Sequence, residues 1–139
     1  MVIETEDIVM LVDPMLGRKG SIPSFSEKRF KSRKNPLVNL PKGSETVLKK
    51  VSHCLITHKH EDHLDQKGIN FLRTNHIPIT CSIKDASNFN ALNLNITQTV
   101  EYWKREEFQG GFIEGIPATH GYGKVAKLMG NVMGFFIVL

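Results

Sequence analysis

The sequence predicts an α/β fold built around a metal site. Two observations carry that expectation. Strand-type and helix-type segments alternate along the second half of the 139 residues. One apolar, β-branched run ends in Thr57-His58-Lys59-His60-Glu61-Asp62-His63, which places His-x-His-x-Asp-His within six positions. A hydrophobic core has no use for that spacing. A metal site does, because imidazole nitrogen and carboxylate oxygen are ligands for zinc and similar divalent ions.

The first long segment, from about residue 17 to about 46, is rich in Gly, Ser and Pro and lacks periodicity, so it reads as an irregular loop. Val51 to Thr57 (VSHCLIT) has the composition of a buried strand. A helix follows over Gln66 to Asn75, with Ile69, Phe71 and Leu72 as its apolar residues. Ile77 to Ile83 is the next strand, and Ser82 or Asp85 begins a short helix through Ala86 to Leu92. Ile96 to Val100 and Gly111 to Pro117 are two further strands, with Glu101 to Gln109 as the link between them. Lys124 to Met129 reads as a turn. The last nine residues are too short to span a bilayer and read as a buried strand.

The histidine spacing has a physical logic. His58 and His60 are two apart, so in extended backbone they point to the same side. Asp62 and His63 come where the chain turns toward the helix and can face a second ion, roughly 3.5–4 Å from the first in two-metal sites. Cys54 and Cys81 lie in strand-type runs, read as small buried thiols, and suggest no disulfide framework. His53 and His76 stand outside the ligand spacing and read as core-satisfied or surface histidines. Tyr102 and Trp103 read as packing residues.

The stretch THKHEDHLD (Thr57 to Asp65) resembles the central motif of the metallo-β-lactamase superfamily. The likeness extends to both sides. Ile8 to Pro14 (IVMLVDP) resembles the family's strand ending in an aspartate. Pro117-Ala118-Thr119-His120-Gly121 resembles the strand and turn that supply the next metal-binding histidine, and Gly130 to Val138 the strand after that. The early DPML and late ATHGYG look most like the lactonase-like branch that includes ascorbate-6-phosphate lactonase.

The resemblance implies an αββα sandwich and assigns roles. His58, His60 and His120 hold a first metal, and Asp62 and His63 contribute to a second. Asp62 also orients the attacking hydroxide and so is the candidate catalytic residue. Asp13 orients a ligand or the local loop, the alternative being an ordinary turn-initiating Asp before Pro14. Asp65 stands in the same outer layer, the alternative being a first-turn acid favoured by the helix dipole. The family pattern continues with an Asp bridging both metals and a later His. Neither is assignable here, since no His, Asp or Glu follows His120. Members also usually begin with an additional strand, whereas this chain enters almost at once into the Asp13 strand. The expectation is therefore a single partial domain over residues 1–139, roughly the first half of the fold, with one sheet face uncovered unless an oligomer or partner chain covers it.

Charge is uneven. Arg18 to Lys50 holds ten basic and two acidic residues, a balance of +8, while the rest carries −4, which recovers the net +4. One reading is a loop that attracts an anionic substrate by electrostatic focusing, the alternative being a solvated loop whose lysines do nothing specific.

The expected function is a metal-dependent hydrolase that uses a metal-bound hydroxide on a small anionic ester, lactone or phosphoester. The expected cofactor is Zn2+, with Mn2+ or Fe2+ as alternatives, up to two ions if the site is completed. A phosphodiesterase or nuclease is a second reading. It predicts binding that falls steeply with salt, although Phe25 and Phe30 are the only aromatics in the basic segment. A catalytically inactive metal-binding fragment or interaction module is a third. No run of about 20 apolar residues is present, so no membrane association is expected. The acidic N-terminus lacks the features of a signal peptide, which points to the cytoplasm.

Overall fold

The computed structural model describes residues 1–24, 32–119, 121–124, 126 and 130–139. Five strands form one sheet in the order β1 (Val2–Glu4), β2 (Val9–Val12), β3 (His53–Ile56), β4 (Ile79–Ser82) and β5 (Ile96–Val100). β1 runs antiparallel to β2, and β2 to β5 are mutually parallel. Parallel neighbours need crossovers, and these carry α1 (Ser44–Leu48), α2 (Gln66–Thr74) and α3 (Ala86–Asn90). The second sheet is an antiparallel meander of β6 (Arg105–Phe108), β7 (Gly111–Pro117) and β8 (Met133–Val138).

The central strands are apolar on both faces because both faces are covered. Val9, Leu11, Cys54, Ile56, Ile79 and Cys81 point toward the helices and meet Leu64, Leu72 and Phe89. Met10, Val12, Leu55 and Val100 point the other way and meet Phe108, Ile113 and Met133 of the second sheet. The result is a helix layer, a five-stranded sheet and a three-stranded sheet. Leu72 is fully buried, worth about 2 kcal/mol of transfer free energy.

Gly115 permits the crossing from one sheet to the other. A Cβ there would stand 2.6 Å from Glu101 O. In its absence Tyr102 bridges to Gly115, and the Trp103 N–H donates to Gly115 O at 2.8 Å.

Four details depart from the sequence reading. The chain does begin with a strand ahead of the Asp13 strand, but it is three residues long and only Ile3 contributes to the core, too little to show alternation. The expected link 101–109 contains β6, whose Arg-Glu-Glu-Phe lacks an apolar period. Pairing with β7 makes it a strand, supported by Arg105 Nε donating to Glu114 Oε2 at 3.2 Å. The C-terminal run is a strand with one face inward: Met133, Phe135 and Ile137 join the core, while Phe136 and Val138 are exposed. Trp103, expected to pack, is 67% exposed on a positive-φ turn, while Tyr102 does pack.

Candidate metal centre

The site grows from the C-terminal ends of two neighbouring parallel strands, where ligands bind in open α/β sheets. Just beyond β2, Asp13 adopts φ +48°, a left-handed conformation that Asp tolerates. Its N–H continues the ladder to Leu55 O at 3.0 Å. Its carboxylate reaches the end of β3. Oδ1 accepts the Thr57 N–H at 2.8 Å, and Oδ2 accepts the Thr57 hydroxyl at 2.7 Å and His63 Nδ1–H at 2.8 Å.

Proton counting then sets both imidazole tautomers. The Thr57 hydroxyl has one proton, and it goes to Asp13. Oγ1 therefore accepts from His58 Nδ1–H, 2.9 Å away. His63 also carries its proton on Nδ1, toward Asp13. In the neutral form of either ring Nε2 is then the nitrogen with the lone pair. A carboxylate or hydroxyl on the far ring nitrogen is the support that metal-ligating histidines use.

A tight turn folds the ligand stretch back on itself. The His63 and Leu64 N–H groups both donate to His60 O, at 3.0 and 2.8 Å. The His58 ring lies 4.5 Å from that of His60, nearly perpendicular, and 4.0 Å from that of His63, centroid to centroid. His58 is buried and His60 and His63 are half-buried, while Asp62 is exposed on the turn. The structure thus brings Asp13, His58, His60 and His63 together. Asp62 is carried on the same turn, outside the hydrogen-bonded group.

Asp65 stands one step further out. It is the N-cap of α2, accepting the Gly68 N–H at 2.7 Å, and it also accepts the N–H groups of Leu16 at 3.1 Å and Gly17 at 2.5 Å. These bonds tie the loop after Asp13 to the helix after His63. Gly68 permits the approach, since a Cβ there would lie 1.9 Å from Pro14 O.

The second sheet touches the site through Thr57, whose carbonyl accepts the Met133 N–H at 3.1 Å. Val132 O accepts the Ala118 N–H at 3.3 Å, so the end of β7 runs alongside. His120, the expected fifth ligand, lies outside the described residues. Among the described residues no group of three or more His, Cys, Asp or Glu is arranged to hold a metal ion. The donors present fit a divalent ion in kind, and in His58 and His63 the Nδ1 side of the ring is held from behind.

Thr57 is the participant that sequence reasoning left without a role. Its only sequence signal is its place directly before His58. The other histidines and the two cysteines stand apart from this group. His53 is buried with Nε2 2.8 Å from Thr80 Oγ1 and its ring edge-on to Phe108, and burial lowers its pKa to about 4. Burial, then the Asp13 carboxylate, raises the Cys54 thiol far above its usual range. Burial, then Asp85, raises Cys81 to about 12. Both are free thiols, held protonated and inert. His76 is exposed at positive φ.

Comparison with known proteins gives the family. The family described as a beta-lactamase superfamily domain matches residues 9–138. A curated relative, UPF0173 protein YddR of Bacillus subtilis (strain 168), is 31% identical over 126 residues, covering 89% of this chain and 48% of that protein. Two solved structures superpose over 96% of this chain and 53% of theirs. One is a possible metal-dependent hydrolase from Veillonella parvula DSM 2008 (24% identity, TM-score 0.80). The other is isothiocyanate hydrolase from Delia radicum gut bacteria (25% identity, TM-score 0.79). The chain spans about half the length of these relatives. With a family match over nearly its whole length and a partial sandwich of the corresponding fold, the chain belongs to the metallo-β-lactamase superfamily.

Proposed function

We propose that this chain carries the metal-binding half of a hydrolase acting on a small anionic ester, lactone or phosphoester. The observation that carries the reading is the Asp13–Thr57 pair behind His58 and His63. A structural core needs no such device, and a ligand set does. His58, His60 and His63, with His120 and Asp62, would hold the ion, with zinc first among the candidates for imidazole and carboxylate donors. Once bound, a divalent ion supplies Lewis-acid polarisation of the substrate and acidifies a bound water toward neutral pH.

The chain's own residues do the rest. Asp13 holds the Nδ1 proton of His63 and, through Thr57, orients His58. Leu64 and the β3 side chains keep bulk water from the inner side of the turn. Asp62, exposed on the same turn, would orient a nucleophilic water. One structural relative is an isothiocyanate hydrolase, which supports hydrolysis as the reaction class.

The test is turnover of an ester, lactone and phosphoester panel by zinc-reconstituted protein, with and without chelator. Chelator-sensitive hydrolysis, lost in His58→Ala, is expected. Turnover unchanged in His58→Ala would remove the site assignment. Bound zinc with no hydrolysis on any substrate would leave a metal-binding module.

A further inference from the structure

A groove of about 610 Å³ follows the seam between the loop after Asp13 and helix α2. That is the size of a small-molecule site. Its loop wall is pinned at both ends. Asp65 holds Leu16 and Gly17 at one end, and Ile22 exchanges two backbone hydrogen bonds with Asn35, at 2.7 and 3.1 Å, at the other. The facing wall is the exposed side of α2, and the apolar lining comes from Ile22, Pro23, Leu64 and Ile69.

Two cations stand at the groove, Arg18 from the loop and Lys67 from the helix. Both are exposed, and among the described residues neither forms an ion pair. The groove also holds two carboxylates, Asp65 and Glu61. Asp65 is buried with its oxygens engaged by three backbone N–H groups, so it is unavailable as a contact, and Glu61 is exposed at the end of the groove next to the histidine turn. Glu61 and Leu64, which flank Asp62 and His63 in the chain, line the same groove, so it begins at the histidine turn.

We propose that this groove is a binding site for a small organic anion, a carboxylate or phosphate on an apolar body, with Arg18 and Lys67 taking the charge. Under the hydrolase reading, on which this role rests, it seats the anionic end of the substrate while the bond to be cleaved lies at the histidine turn. The apolar lining takes the body, and the paired cations on opposite walls select a charged end over a neutral one.

The experiment is an amide-shift titration of the full chain with phenyl phosphate, phenylacetate and neutral 2-phenylethanol. The expected result is saturable shifts centred on Gly17, Leu64 and Gly68 for at least one anion, with 2-phenylethanol at least tenfold weaker. Arg18→Gln with Lys67→Gln should weaken the anion at least tenfold while leaving the remaining spectrum unchanged, since both side chains are exposed. Which of the two anions binds tighter identifies the charged group preferred. His58→Ala should keep the anion affinity within about twofold. Equal binding by the double variant would overturn the inference. So would shifts confined to the histidine turn and lost in His58→Ala, although the hydrolase reading would then survive. Anion binding in the groove without hydrolysis of any substrate would support the groove and sink the hydrolase reading instead.

Discussion

Asp13 does the work of two residues. One carboxylate ties the ends of β2 and β3 together and sets the tautomers of His58 and His63. Asp13→Asn replaces one acceptor oxygen with a donor facing another donor. Zinc affinity should fall about 10- to 100-fold, measured by competition with a chromophoric chelator. Thr57→Val keeps the shape, removes the hydroxyl and releases the His58 tautomer. It should also weaken zinc, with less effect than Asp13→Asn because His63 keeps its carboxylate. Equal zinc affinity in all three proteins would remove the positioning role.

His53 makes a different prediction. Its folded pKa, about 4, lies below the ordinary 6.5, so the unfolded chain binds the proton more readily. The stability this histidine contributes is complete above pH 6.5 and is lost as pH falls toward 4, by up to about 3 kcal/mol. Urea midpoints of wild type and His53→Gln across that window should converge as the pH drops.

Helix α2 matters less for its length than for what it docks against. Its N-cap Asp65 is also the clamp on the Leu16–Gly17 loop, and Gly68 lies against Pro14. Asp65→Ala removes a cap worth about 1 kcal/mol and strands two buried N–H groups at about 1 kcal/mol or more each. A loss of about 3 kcal/mol is expected in denaturant unfolding. Gly68→Ala improves helix propensity by about 1 kcal/mol yet drives a Cβ into a backbone carbonyl. It should destabilise by about 1–3 kcal/mol and weaken zinc binding as Asp13 shifts. A stabilised Gly68→Ala protein would show that the contact relaxes without cost.

The three-layer arrangement leaves a face of the second sheet without a helix over it among the described residues. Phe112 and Phe136 lie 5.9 Å apart there, with the Arg105 guanidinium 4.1 Å above Phe112, and among the described residues no strand pairs with the outer edge of β8. Exposed apolar faces and open edges associate. We expect concentration-dependent self-association in sedimentation velocity, reduced by Phe136→Lys with Val138→Lys. Equal sedimentation of the two proteins at all concentrations would show that this face is not the contact.

Local chemistry made much of this protein legible in advance. Periodicity and β-branched composition sufficed for β3 and β4, which are buried throughout, and for the half-buried β5 and β7, and the metal-ligand spacing sufficed for the superfamily. Signals shorter than a structural period escaped, as with β1 and α1, and so did the charged β6, which is a strand only because β7 pairs with it. Thr57 and Asp65 divide along the same line. Their residue types admit many roles, and hydrogen-bond partners 44 to 49 positions away made one a bridge from Asp13 to His58 and the other a clamp. Spacing along a strand or turn is a property of neighbours in the chain, so sequence determined it. Which carboxylate faces which hydroxyl depends on how β2, β3 and α2 pack, and only the tertiary structure decided that.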